Sequence, residues 1–541
     1  MVRLGWLALI AAIGCGGGSS SSGDDKPGGD DAAPIDSGPV SSCDPPGHFG
    51  ASTSSFTLPT PSGTTTGFNY ADVQAAFPAV DWMTIDRLYI PAGHYTNIEL
   101  GNLPTRTAEH PLLITNTGGQ VVVGFNPQGN YIWAFHGGSH WILTGRYDAD
   151  SATGDEAFKG HACGNYADSA GTYGIISDDD YALSAPYLHM GIAVDAGATD
   201  FEIEFVEVAR SGFAGIRLLN DHTKNLPMSN VRVHDTYIHD TDGEGFYFGW
   251  TGTPPSNLFP GLQIYNNRIV RAGNEALQIQ DLGDGARVHH NTFVSGGTHW
   301  FDNGLGRYQD SNSQVLTREG TIEFDHNVFI DGAGTLLSFF SSPQANDGDR
   351  HVTFHDNYFS DAADLGIYIN GTSTAASSFT FDHNTFRGMD FAYGPIDMTD
   401  PDVVVGRNPA VLGAITFTNN TWTGTTRIIN GIDGGDGTKD NVTLTGNTNI
   451  DPGAIELVDE KWTAAGHHLT RYAPNVTVNG GSTPVTYHAG DVVSFGELPA
   501  LYRANADTTA APPGGAWTAL GVLTDDVRVK AGTMYEGYGV Q

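Results

Sequence analysis

The chain has 541 residues, with 61 acidic and 25 basic side chains and a formal charge of −36. A field of that sign excludes nucleic acid as a partner and opposes a polyanionic glycan unless cations or a local basic patch intervene. Glycine is abundant, at 71 residues, as many tight turns require, and cysteine is scarce, at three.

Arg3, an apolar run from Leu4 to Ile13 and then Gly14-Cys15 read as a secretory signal (residues 1–15), too short to cross a bilayer. Ala12-Ile13-Gly14-Cys15 resembles a bacterial lipobox. That resemblance implies lipidation of Cys15 and an extracytoplasmic protein anchored to the outer membrane or cell surface. Residues 16–42 are rich in Gly, Ser, Asp and Pro and read as a flexible tether. With Cys15 lipidated, Cys43 and Cys163 either pair in an oxidising compartment or remain two thiols.

Tyr70 to Val80 has apolar residues at helical spacing, and a strand-like run follows from Leu88 to Tyr95. His110 to Val123 and His140 to Gly145 read as further strands. Tyr147 to Asp180 is polar and acidic and reads as a long loop, either walling a groove or decorating the surface.

From Asn230 onward one pattern recurs. A short alternating apolar run ends at Thr236, Asn267, Asn291, Asn327, Asn357, Asn384, Asn420 and Asn447, at spacings of 31, 24, 36, 30, 27, 36 and 27 residues. An irregular repeat of that length, built of period-2 runs and turns, predicts a solenoid. The intervals are too short for crossover helices, so each repeat is one coil of a parallel β-helix. The recurring Asn predicts an inward amide ladder with a rung about every 4.8 Å. On these residues the chain resembles the right-handed parallel β-helix (pectate-lyase-like) superfamily. The expected fold is all-β: a single-stranded right-handed parallel β-helix over residues 43–454. The resemblance implies an N-terminal cap helix, and residues 455–541 form a small β-rich C-terminal segment.

The strand after each Gly turn places Ile216 and Leu218, Phe246 and Phe248, Leu277 and Ile279, Ile367 and Ile369, and Ile396 and Met398 in the core. Two residues ahead of these pairs stand Ala214, Glu244, Glu275 and His299. The register predicts Glu244, Glu275 and His299 stacked on three coils about 5 Å apart. Asp242, Arg217, Tyr247, Gln278, Gln280, Asp281 and Asp302 would surround them as substrate-binding or catalytic groups. Stacked carboxylates repel, one pKa rises, and an acid stands beside a base, as glycoside hydrolysis needs. The plain alternative is that both glutamates are solvated turn residues and His299 lies on the surface.

Asp240-Thr241-Asp242, Asn274-Glu275 and Gly297-Thr298-His299 fall in the same order as the acidic motifs of polygalacturonase-type glycosidases, which they resemble. The basic Arg-Ile-Lys motif of that group is missing. A polysaccharide lyase is the second reading. There Arg217, Tyr247 or His299 would take the proton, and Glu244, Glu275 and Asp281 would hold Ca²⁺ if the reaction depends on it; the hydrolytic reading needs no cofactor. A non-catalytic glycan binder or adhesin is the third. In each case the partner is a polysaccharide and the protein a monomer. His234, His289, His290, His326, His355 and His383 lie beside the ladder without the fixed spacing of a zinc site and read as structural.

In the tail, Tyr487-His-Ala-Gly-Asp-Val-Val, Tyr502-Arg503-Ala504, Pro512 and Trp517 resemble a small chitin-binding type of carbohydrate-binding module. That resemblance implies Tyr502 and Trp517 as sugar-stacking faces. Without it they are the core of a C-terminal cap.

Overall fold

The computed structural model describes residues 52–59, 68–124, 131–145, 171–179, 189–220, 226–249, 258–299, 311–340, 348–362, 364–369, 374–389, 403–407, 411–423, 427–431, 441–459, 469–478, 481–496, 500–522 and 524–541. Cys15, Cys43, Cys163, Asp302, Ile396 and Met398 lie outside them. So do the signal and the tether.

Three strands recur per coil. The first face holds strands such as Arg232–His234, Gln263–Tyr265, Ala286–His289 and Gly320–Asp325. The second holds Tyr237–His239, Arg268–Val270, Thr292–Gly296 and Val328–Gly332. The third holds Ala214–Leu218, Glu244–Phe248, Leu277–Leu282 and Ser313–Thr317. Every strand of these faces pairs in parallel with its counterpart one coil on, and the third face alone runs to 12 strands. The result is a right-handed parallel β-helix. A short helix, Tyr70–Ala76, stands at its N-terminal end. The Tyr147–Asp180 stretch is not all loop, because Ile175–Asp178 is a second-face strand paired with Val206–Ala209.

The bend between the first and second faces is two residues long in each of these coils. The first residue adopts the left-handed region: Asp235, Asn266, His290, His326, Asp356 and His383 all have φ 52°, and Asn419 has 57°. Asn, Asp and His tolerate that conformation better than other side chains, which explains their recurrence here. The second residue is the ladder. Asn291 Nδ2 donates to Asn327 Oδ1 at 3.0 Å, Asn327 to Asn357 at 3.0 Å, and Asn357 to Asn384 at 3.0 Å. Each amide also donates to a first-face carbonyl, as Asn327 does to Val288 at 2.8 Å. A buried polar column is thus satisfied rung by rung. Beside it run stacked rings, Phe324–Phe354–Phe381–Phe417 at 4.7, 5.1 and 4.6 Å.

The strand facing Ile367 on the next coil is Val403–Arg407, with Val405 opposite Ile367. Ile396 and Met398 therefore do not continue that column. An insertion ahead of the strand displaced the count.

Among the described residues, the C-terminal segment leaves Leu444 and Ile450 of the last coil exposed. It forms a four-stranded sheet of Leu469–Arg471, Val492–Phe495, Ala500–Ala504 and Trp517–Val522. It folds back onto the outer side of the second face. Ile455, Leu457, Leu469, Val527 and Val540 pack there with Tyr237, Val270, Val294, Val328 and Tyr358. The seam is pinned by Asp525, which accepts from Arg271 at 2.6 and 2.7 Å and from the Tyr237 hydroxyl. Arg271 is shared with Asp240 on its other side, at 2.7 and 2.8 Å.

Candidate active site

The site grows from the turn Thr241-Asp242-Gly243, which carries the chain from the second face to the third. Glu244 opens the third-face strand opposite Ala214. The Gly245 amide donates to the Glu275 carbonyl at 2.9 Å, so the two glutamates occupy neighbouring rungs as the spacing predicts. A Cβ on Gly245 would meet Ile269 Cγ2 of the core at 2.5 Å. There is no room for a side chain at this corner beside Glu244.

Both glutamates are buried. Glu244 Oε1 accepts from Asn274 Nδ2 at 3.3 Å, while Oε2 is buried with no hydrogen-bond partner among the described residues. Burial pushes the Glu244 carboxyl up to about 7 against the pull of its own amide and Asn274. This carboxyl can carry a proton at neutral pH.

His299 does not complete the column. Leu277 faces Ser313, so the chain regains the third face only at residue 313, and His299 lies before that strand. Its amide donates to Gly273 O at 2.8 Å. The count from the ladder Asn misses by one residue at this turn, and one residue of slip moves a side chain to the other face.

His299 instead meets Asp242, Nδ1 to Oδ1 at 2.9 Å. The two reach each other across the rung at Gly273, where a Cβ would lie 2.0 Å from the Asp242 carbonyl. The third member is Arg471, from the C-terminal segment. Its Nη1 donates to Asp242 at 2.7 Å and also contacts the His299 ring. Burial raises the Asp242 carboxyl, but His299 and Arg471 outweigh it and hold the group below the usual carboxylate range. Arg471 thus places a cation beside Asp242 and His299. No sequence signal marks it, because nothing in Leu469-Thr470-Arg471 shows that the segment returns to the second face.

The other expected residues divide. Arg217, Tyr247 and Gln278 do form an outward column, extended by Gln314. Gln280 lies two residues further along the same strand and is buried, as Tyr247, Gln278 and Gln314 are. Asp281 stands at the far end of that strand, 3.6 Å from Arg318 and six residues beyond Glu275. At about 3.3 Å per residue it is on the order of 15–20 Å from the glutamates. Glu244, Glu275 and Asp281 are therefore too far apart to share one Ca²⁺. Trp517 is a core residue packed against Tyr487 at 5.5 Å, and its Nε1 donates to Ala510 O. It offers no face to a sugar. Tyr502 is half-buried beside Phe495 on the same small sheet.

Three parallel ladders wound about an internal Asn column decide the architecture. It is a parallel β-helix. No family profile matches the chain, and no curated protein does. Among solved structures, this β-helix is similar to an alginate lyase from Paenibacillus sp. str. FPU-7, at 15% identity over 71% of this chain and 99% of that one, TM-score 0.36. It is similar to the catalytic unit of a GH87 α-1,3-glucanase from Streptomyces thermodiastaticus strain HF3-3, at 13% identity over 72% and 67%, TM-score 0.41. It is also similar to an exopolygalacturonase from Thermotoga maritima, at 11% identity over 70% and 92%, TM-score 0.38. Likeness at this level transfers no residue role to the β-helix described here.

Proposed function

We propose that this β-helix degrades a polysaccharide by glycoside hydrolysis, with Glu244 as general acid. The observation that carries the proposal is the pair Glu244 and Asp242. Two residues apart, they are driven in opposite directions, one carboxyl up to about 7 and the other below its usual range. Such a pair assigns an acid and an ionised partner. Glu244 would protonate the leaving oxygen. Asp242, with its side chain 23% exposed, would supply the negative charge that an oxocarbenium-like transition state needs, and with His299 would accept a proton from water. Glu275 is fully buried, which favours Asp242 over it as the second carboxylate. Arg217, Tyr247 and Gln278 line the adjoining strand face and would bind the sugar chain.

Elimination is the second reading, favoured by one observation. Arg471 stands beside His299 and Asp242, where a guanidinium could neutralise a uronate carboxylate and His299 could take the neighbouring proton. A polysaccharide panel separates the two. Hydrolysis releases reducing ends alone, whereas elimination adds the ultraviolet absorbance of an unsaturated uronate. Neither signal on a broad panel would leave a glycan-binding protein. Loss of reducing-end release in Glu244→Gln, with thermal stability retained, supports the acid role; full activity would overturn it.

The surrounding reading is an extracytoplasmic lipoprotein, anchored through Cys15 to the outer membrane or cell surface. Mass spectrometry of the mature N-terminus tests it, and an unmodified Cys15 would overturn it. Equal mass before and after reduction and alkylation would rule out a Cys43–Cys163 bond.

A further inference from the structure

The bend between the first and second faces carries a row of histidines and acids, most of it ion pairing. His234 is engaged at both ring nitrogens, by Asp235 at 2.7 Å and Glu202 at 2.8 Å. His355 is engaged in the same way by Asp356 at 3.0 Å and Glu323 at 2.7 Å. An imidazole that donates from both nitrogens has no lone pair for an ion.

His289 and His290 differ. They are consecutive and buried, and their Nδ1 atoms face one another at 3.1 Å. The His289 ring stacks on Tyr265 at 5.1 Å and the His290 ring on His326 at 4.8 Å, which fixes both orientations. Consecutive residues of a straight strand point to opposite sides. The left-handed backbone of His290, φ 52°, lets these two converge. A carboxylate oxygen of Asp325, one coil on, lies within 4.8 Å of both ligand nitrogens.

Zinc–nitrogen bonds of about 2.0–2.1 Å imply a tetrahedral edge of about 3.3 Å, close to the separation of the two Nδ1 atoms. Asp325 is held from behind by Arg287 at 2.7 and 2.8 Å and by His326 at 3.0 Å, as outer partners hold metal ligands. Its Oδ1 accepts only from Arg287 Nε among these, so that oxygen keeps a lone pair.

We propose that His289, His290 and Asp325 bind a divalent ion of the Zn²⁺ class, clasping two adjacent coils, with a fourth position open to water. Two imidazoles and one carboxylate suit such an ion better than Ca²⁺ or Mg²⁺. The site lies at a different bend from Glu244 and does not depend on the reading of that residue.

The test is titration of the chelator-stripped full chain with Zn²⁺ by calorimetry and with Co²⁺ by visible absorption and paramagnetic proton NMR. One equivalent tighter than about 10 µM is expected. A cobalt d–d band and two shifted imidazole N–H signals should accompany it, and saturating Zn²⁺ should raise Tm by about 2 °C or more. His289→Gln and His290→Gln should each lose that equivalent, and His355→Gln should keep it. No strong equivalent in the wild type, or its persistence in both variants, overturns the proposal. Should the variants fail to fold, bound cobalt lacking two imidazole signals in the wild type overturns it as well.

Discussion

Arg471 donates to Asp242 at 2.7 Å although 229 residues separate them. The C-terminal segment therefore contributes to the candidate site as well as covering the second face. Replacing Arg471 with Ala should lower kcat/KM by about 10² with little change in Tm, and Lys should restore part of it. Steady-state kinetics on the active polysaccharide checks this. Unchanged turnover in Arg471→Ala would remove the segment from the chemistry.

The raised carboxyl of Glu244 has a cost in stability. Its folded value of about 7 lies above an unfolded value near 4.5, so the unfolded chain ionises first. The folded state should lose stability as pH rises from about 4.5 to about 7 and then level off. Glu244→Gln removes that loss. The variant should match the wild type near pH 4 and be more stable at pH 8 by about 2–3 kcal/mol. Denaturant melts at the two pH values measure it, and equal gains at both would contradict the assignment. In activity, the same group should set an alkaline limb near pH 7.

The seam at Asp525 is a buried charge cluster. Burial raises its carboxyl, but Arg271 holds it below the usual range. Its contribution should be complete above about pH 4 and be lost as pH falls further. Asp525→Ala removes one of the two carboxylates that Arg271 bridges, together with the acceptor of the Tyr237 hydroxyl. The expected loss is about 3–5 kcal/mol, read by denaturant unfolding. A loss under 1 kcal/mol would mean that the segment is held by apolar packing alone.

The ladder should be intolerant at its middle. Asn357 accepts from Asn327 and donates to Asn384 and to the Phe324 carbonyl. Alanine there strands donors and acceptors on two coils, for a loss of about 2–4 kcal/mol. Leucine, though apolar, should do no better.

Trp517→Ala should destabilise the C-terminal sheet by about 3–5 kcal/mol. Tyr502→Ala should leave polysaccharide retention unchanged. Selective loss of retention in a Tyr502→Ala protein that melts normally would restore the carbohydrate-binding reading.

Some of this was legible in the residues and some was not. The ladder Asn and the alternation around them are local and periodic, so the coils, the Glu244–Glu275 adjacency and the Arg217–Tyr247–Gln278 column could be read by counting. His299 could not, because the turn before it departs from the ladder count by one residue. The Ile396 and Met398 pair failed for a related reason, an insertion ahead of Val403. Arg471 and Asp525 were out of reach altogether. Their contacts span more than 200 residues, and no periodicity carries information that far.

The two-residue bend fixes where a coil can change length. From Arg232–His234 onward the connection between the first and second faces stays two residues long, whereas in an earlier coil residues 145–174 separate Ser139–Thr144 from Ile175–Asp178. In these later coils the long connections flank the third face: Thr292–Gly296 to Ser313–Thr317, Glu244–Phe248 to Gln263–Tyr265, and Thr385–Arg387 to Val403–Arg407. In these coils the length of the chain thus varies in the connections that flank the third face, while the ladder bend keeps its two residues. Such a scaffold can alter what borders the Arg217–Tyr247–Gln278 strip, coil by coil, without disturbing a single amide rung. Selectivity for one polymer over another can then diverge independently of the stability of the coil.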